Sequence, residues 1–179
     1  TKSSNGGLSF NSSFNLPPSG TGNWVTPFIL DPQHPDTLYA GFNEIWKSYN
    51  GGQSFTAITS SGISGMTDID ILGIAPKHSN VIFMGNGNRM YRSTNYGSSW
   101  TYLSTLGASR ALTGVATAYD DPDHIVISMS GYSASEKVKV SKDGGSTWVN
   151  ISNGLPNLPV NCVVMEDNAE HSIYIGTDV

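Results

Sequence analysis

The 179-residue chain has one cysteine, Cys162, which excludes an intrachain disulfide framework and any multi-cysteine metal site. Lying in the apolar run Asn161-Cys162-Val163-Val164-Met165, it reads as a small buried hydrophobe. Charge is scarce as well: Asp, Glu, Lys and Arg make up 13 % of residues and the net charge is −5, so the basic footprint of a nucleic-acid binder is missing. No stretch approaches the roughly 20 apolar residues of a membrane helix, and no membrane partner is expected. Arginine is limited to Arg89, Arg92 and Arg110. The four histidines (His34, His78, His124, His171) lack paired ligand spacing, so no metal site and no cofactor are expected. Long helical stripes are also absent. What remains is a sequence rich in Gly, Ser, Asn and Thr, with turn residues every 8–12 positions, the punctuation of many short strands.

One stretch organises those strands. Ser141-Lys142-Asp143-Gly144-Gly145-Ser146-Thr147-Trp148 reads Ser-x-Asp-x-Gly-x-x-Trp. Variants of it begin at Ser3, Ser48 and Ser93, so the first residues stand 45, 45 and 48 positions apart. Three of the four carry Asn in place of Asp (Asn5, Asn50, Asn95), and two carry Phe in place of Trp (Phe10, Phe55). An Asp or Asn here can accept hydrogen bonds from nearby backbone N–H groups and tighten a hairpin. The glycines at the fifth position (Gly7, Gly52, Gly97, Gly145) permit a positive φ, and the aromatic opens the next strand and packs over the turn. The residues Ser48, Asn50, Gly52, Phe55, Ser93, Asn95, Gly97, Trp100, Ser141, Asp143, Gly145 and Trp148 are therefore read as structural.

Aligned on these boxes, each interval holds the same four short runs. The middle one has Thr67 to Ile71, which alternates polar and apolar, then the turn Pro76-Lys77-His78-Ser79-Asn80, the apolar run Val81 to Met84, Arg89 to Arg92, the box, and Trp100 to Leu103. Four antiparallel strands per 45 or so residues is the arithmetic of a propeller blade. The expectation is an all-β, partial β-propeller over 1–179: a trailing strand in 1–14, blades at 23–59, 67–104 and 112–152, and two leading strands of a further blade in 160–179. The chain opens inside a repeat and stops where another strand is due, so a piece of a longer protein is expected. Its open blade faces call for the parent's remaining blades or a self-dimer.

The motif at this period resembles the Asp-box (BNR) repeat of sialidases, sortilin-type receptors, xyloglucan-cleaving endoglucanases and secreted bacterial repeat proteins. The likeness covers nearly the whole chain, and sortilin-like arrays of secreted bacterial proteins are the nearest in pattern. It implies a secreted or extracellular protein whose boxes sit at the blade periphery, away from any catalytic centre. Function then belongs to the opposite face, where second-to-third-strand loops and interblade loops gather. That face assigns Tyr132, Glu136, Asn86, Asn88, Glu44 and Arg110 as candidate ligand contacts, with Tyr132 foremost because it lies in the longest such loop.

Catalytic candidates are few. Asp68 and Asp70 stand two apart on the expected innermost strand and so share a face, but the matching positions of the other repeats are not acidic. Tyr174-Ile175-Gly176-Thr177-Asp178-Val179 resembles a stretch of xyloglucan-active endoglucanases whose Asp is the catalytic base, with Gly176 replacing the usual Arg. Three separated arginines do not make the carboxylate-binding triad that the sialidase likeness would require. The expected function is a non-catalytic scaffold that binds a glycan or a protein. The alternative is a glycoside hydrolase propeller acting on a β-glucan such as xyloglucan, through Asp178 or the Asp68–Asp70 pair.

Overall fold

The structure is a computed structural model that describes residues 3, 5–10, 22–59, 63, 67–132 and 135–178. Short β-prone runs separated by turns fold into three antiparallel meanders of four strands each. The first holds β1 (Phe28–Leu30), β2 (Leu38–Gly41), β3 (Ile45–Ser48) and β4 (Thr56–Ala57). The second holds β5 (Ile71–Ala75), β6 (His78–Asn86), β7 (Arg89–Ser93) and β8 (Thr101–Tyr102). The third holds β9 (Leu112–Thr117), β10 (Ile125–Met129), β11 (Val138–Ser141) and β12 (Val149–Asn150). A two-stranded sheet of β13 (Val160–Met165) and β14 (Ile173–Thr177) follows. Among the described residues the one helical turn is the 3-10 segment Ser104–Leu106, and no helix is long and apolar enough to cross a membrane.

The hydrophobic core lies between the sheets. Tyr39 and Ile45 of the first meet Ile69, Leu72, Ile82, Met84 and Tyr91 of the second. Ile71, Phe83 and Met90 meet Ile125, Ile127 and Met129 of the third across another layer, and Val126, Val138 and Val140 meet Val160 and Val163 of the fourth. β6 and β10 are consequently buried on both faces, which explains their continuous apolar runs. The leading strands lie side by side, β5 against β9 and β9 against β13, and Thr113 Oγ1 donates to Val160 O at 2.6 Å. These are consecutive blades of a β-propeller around a common axis: three complete and one begun.

Several local expectations shift. The leading strand of the second blade starts at Ile71 rather than Thr67, so Asp68 and Asp70 precede it. The alternation at 67–71 serves a bridge instead: Ile69 is buried and its N–H donates to Phe42 O of the first blade at 2.8 Å. The first hairpin of that blade closes on Pro76-Lys77 alone, because β6 already begins at His78. Strand β1 covers only 28–30 of the expected 25–30. Cys162 is exposed, not buried, with its sulfur over its cross-strand partner Gly176. The expected trailing strand in 1–14 and the loop at 60–66 fall largely outside the described residues.

Candidate ligand-binding face

The boxes form one hydrogen-bond network repeated four times. The box serine accepts from the glycine N–H four residues on: Ser3 from Gly7 (2.7 Å), Ser48 from Gly52 (2.9 Å), Ser93 from Gly97 (2.9 Å), Ser141 from Gly145 (2.8 Å). Its hydroxyl donates to the Asn or Asp two residues on, and that side chain accepts from the backbone N–H four further along, as Asn95 does from Ser99 (2.8 Å) and Asp143 from Thr147 (2.8 Å). The tight path needs a left-handed residue at the fifth position, where φ runs from 84° at Gly52 to 94° at Gly145. Trp100 and Trp148 close the turn by donating to Gly97 O and Gly145 O. The hydrogen bonds from Thr147 and Ser141 bring the Asp143 carboxyl down to about 2. The side-chain oxygen of each box Asn or Asp is occupied by its own hairpin.

On the opposite face the loops of neighbouring blades are tied together. Glu136 holds Lys139 at 2.5 Å across one oxygen, while its other oxygen accepts from the N–H and hydroxyl of Ser109. Burial pushes the Glu136 carboxyl up, but the Lys139 and Ser109 hydrogen bonds outweigh it and hold the group below its ordinary value. The Arg110 guanidinium lies over Gly131, where a Cβ would come within 3.3 Å of it, and Gly131 takes a φ of 96°. Lys137 is fully buried; its ammonium donates to Gly131 O and to Leu158 O, pinning the loop that carries Tyr132. Asn88 donates to Ala108 O at 2.9 Å and ties the second blade's loop to the same interblade segment. Tyr132 and Arg110 remain exposed above this framework.

The structure thus brings Asn88, Arg110, Tyr132 and Glu136 onto one patch spanning the second and third blades. Asn86 belongs to a neighbouring cluster: its amide donates to Asp68 O and Asp70 Oδ2, and Asp70 also accepts from Gly87 N (2.8 Å) and Asn23 Nδ2 (2.6 Å). Asp70 also lines a hollow of about 190 Å³ between the leading strands, with Pro27, Leu72, Gly114, Cys162 and Val163. Glu44 stays in the first blade, in a tight loop where Phe42 N donates to its carbonyl. Asp178 lies at the end of β14 and accepts from Asn161 Nδ2 at 2.7 Å. Ser109, Lys137, Lys139 and Asn23 were not singled out from sequence. The one trace of them is Lys137 and Lys139 alternating with Val138 and Val140.

Comparison with known proteins comes from two directions. A family model, Sortilin-Vps10, described as "Sortilin, neurotensin receptor 3", matches residues 43–177. Solved structures share the fold: an ancestral GH74 enzyme superposes with a TM-score of 0.69 at 21 % identity, over 88 % of this chain and 22 % of that one. The GH74 enzyme of Niastella koreensis gives 0.63 at 25 % identity, over 84 % of this chain and 25 % of that one. An extracellular domain assigned to a hybrid two-component system of B. thetaiotaomicron gives 0.63 at 18 % identity, over 92 % and 20 %. The chain therefore spans a quarter or less of these structures. No curated protein matches it.

Proposed function

Because the chain belongs to the Sortilin-Vps10 family of Asp-box propellers, we propose that it is part of an extracellular, non-catalytic propeller whose boxless face binds a glycan or a protein. The observation that carries this reading is the state of three carboxylates on that face, Asp70, Glu136 and Asp178. Glycoside hydrolysis needs two carboxyl groups about 5–9.5 Å apart and free to exchange protons with substrate. Here Asp70 accepts from three protein donors, Glu136 from an ammonium and a serine, and Asp178 from Asn161. What the face offers outward is an exposed tyrosine and an exposed guanidinium on a braced base, the residue types that anchor interfaces. The family description also names a receptor, a binding protein.

The test is a glycan array and a peptide-binding screen on the 179-residue chain. Tyr132→Ala and Arg110→Ala are each expected to weaken any ligand found by about tenfold or more, an anchor contact being worth 1.4 kcal/mol or above. Asn50→Asp, on the box face, should leave binding unchanged. The hydrolase reading rests on the fold shared with GH74 enzymes and on Asp178 in its Gly-Thr-Asp-Val setting. Xyloglucan hydrolysis that disappears in Asp178→Asn would replace the scaffold reading with that one.

A further inference from the structure

The two junctions between complete blades are built on one plan. Ile58, ten past the box serine of the first blade, lies against Gly97, four past the box serine of the second; a Cβ on Gly97 would sit 2.5 Å from it. Leu103, ten past Ser93, lies against Gly145, four past Ser141, where a Cβ would come within 3.0 Å of it. Just before each box a cation stands over the ring of its cross-strand partner, Lys47 over Tyr39 at 4.9 Å and Arg92 over Phe83 at 5.9 Å.

Above the cation the two junctions differ. At the first, two further rings cover it: the Lys47 ammonium stands 4.5 Å from the Tyr49 ring centroid and 5.4 Å from that of Tyr96. Tyr96 holds a φ of 59°, a left-handed conformation that the other three boxes give to glycine (Gly6, Gly51, Gly144). Lys47 is buried beneath these rings. At the second junction the positions of Tyr49 and Tyr96, one and three past the box serine, hold Thr94 and Gly144. Both line a hollow of about 360 Å³, together with Arg92, Thr101, Tyr102 and Ser146. That volume is within the range of small-ligand pockets, about 300–1,000 Å³.

We propose that this hollow, on the box side of the junction between the second and third blades, binds the side chain of a tyrosine presented by a partner protein. The first junction shows the occupant: there the chain fills the same place with tyrosine rings of its own. The edge of the Arg92 guanidinium is already spent, since it donates to Gly144 O (3.1 Å) and Pro122 O (3.4 Å) and pairs with Asp123 at 2.5 Å. An anion would compete with Asp123 for that edge, whereas a ring needs only the face of the cation. Tyr102 adds a flat wall; it is 47 % exposed, and Tyr91 backs it with ring centroids 5.1 Å apart. The first blade, whose cation is already covered, has Ala57 in its place. Thr94 and Thr101 are exposed at the same hollow, and their hydroxyls suit the phenolic end of the ring. The site stands apart from the boxless face and does not depend on what that face binds.

Amide nuclear magnetic resonance on the isotope-labelled chain tests this, with N-acetyltyrosinamide as probe and N-acetylalaninamide beside it. The tyrosine probe is expected to shift the amides of Thr94, Tyr102, Gly144 and Ser146 saturably, and the alanine probe to leave them in place. Thr94→Tyr, which puts a ring where the first blade has Tyr49, should abolish those shifts. Tyr102→Ala should weaken binding about threefold or more, the worth of one aromatic contact. Both side chains are exposed, so amides away from the hollow should match the wild type in each variant. Silence at these amides, equal shifts from both probes, binding that survives Thr94→Tyr, or binding untouched by Tyr102→Ala would each overturn the proposal. So would cellobiose shifting the same amides where the tyrosine probe does not, which would make the hollow a sugar site.

Discussion

At the scale of single residues, the box shows why Asn and Asp interchange. The network asks of this position one oxygen that accepts from a backbone N–H and from the box serine, and either side chain supplies it. The second polar atom adapts to the residue four further on. Asn95 Nδ2 donates to Ser99 Oγ at 2.8 Å, whereas Asp143 Oδ2 accepts from Thr147 Oγ1 at 2.6 Å. The three Asn boxes are therefore complete versions of the motif. Asp143→Asn is expected to leave stability near neutral pH essentially unchanged, as an exposed substitution that keeps its bonds. The acid side differs. The Asp143 carboxyl is held at about 2 against an unfolded 3.8, so its stabilisation is complete above 3.8 and is lost as pH falls through about 2. Acid unfolding followed by circular dichroism should show a shallower decline between pH 4 and 2 in the variant. An unchanged profile would mean the carboxylate is no better bound in the fold than out of it.

At the scale of elements, the blades depend on each other more than on their own hairpins, because every apolar layer lies between two sheets. Leu103 shows this: it leaves strand β8, joins the core of the second and third blades, and fills the space above Gly145. Leu103→Ala is expected to cost about 2–5 kcal/mol, the range for emptying a leucine site whose surroundings relax only in part. Chemical denaturation checks it, and a loss under about 1 kcal/mol would mean the box slides in to fill the gap. The blades were legible in the sequence because strand length, turn residues and box spacing all carry the same period. The binding face was legible only by elimination, as the side opposite the boxes. Its supports were not: Asn23 meets Asp70 from 47 positions away, and Lys137 reaches Leu158 O from 21. One contact between histidines was not legible either: His124 and His171 meet edge to face at 5.0 Å, because equivalent turns of successive blades are neighbours in space and not in sequence.

At the scale of the whole molecule, the blades form a row in which each touches only its neighbours, so stability is a sum of blade and interface contributions. Interior sheets have two interfaces and end sheets have one. Strands β6 and β10 have apolar layers on both sides, while β1 and β14 stay partly open along their length. Native-state hydrogen exchange should follow that order. The slowest amides are expected in β6 and β10, opening only with global unfolding, and the fastest strand amides in β1 and β14, opening by local release of an end blade. Equal exchange across all four sheets at high dilution would show the row unfolding as one cooperative unit, with the end blades as firmly held as the middle ones.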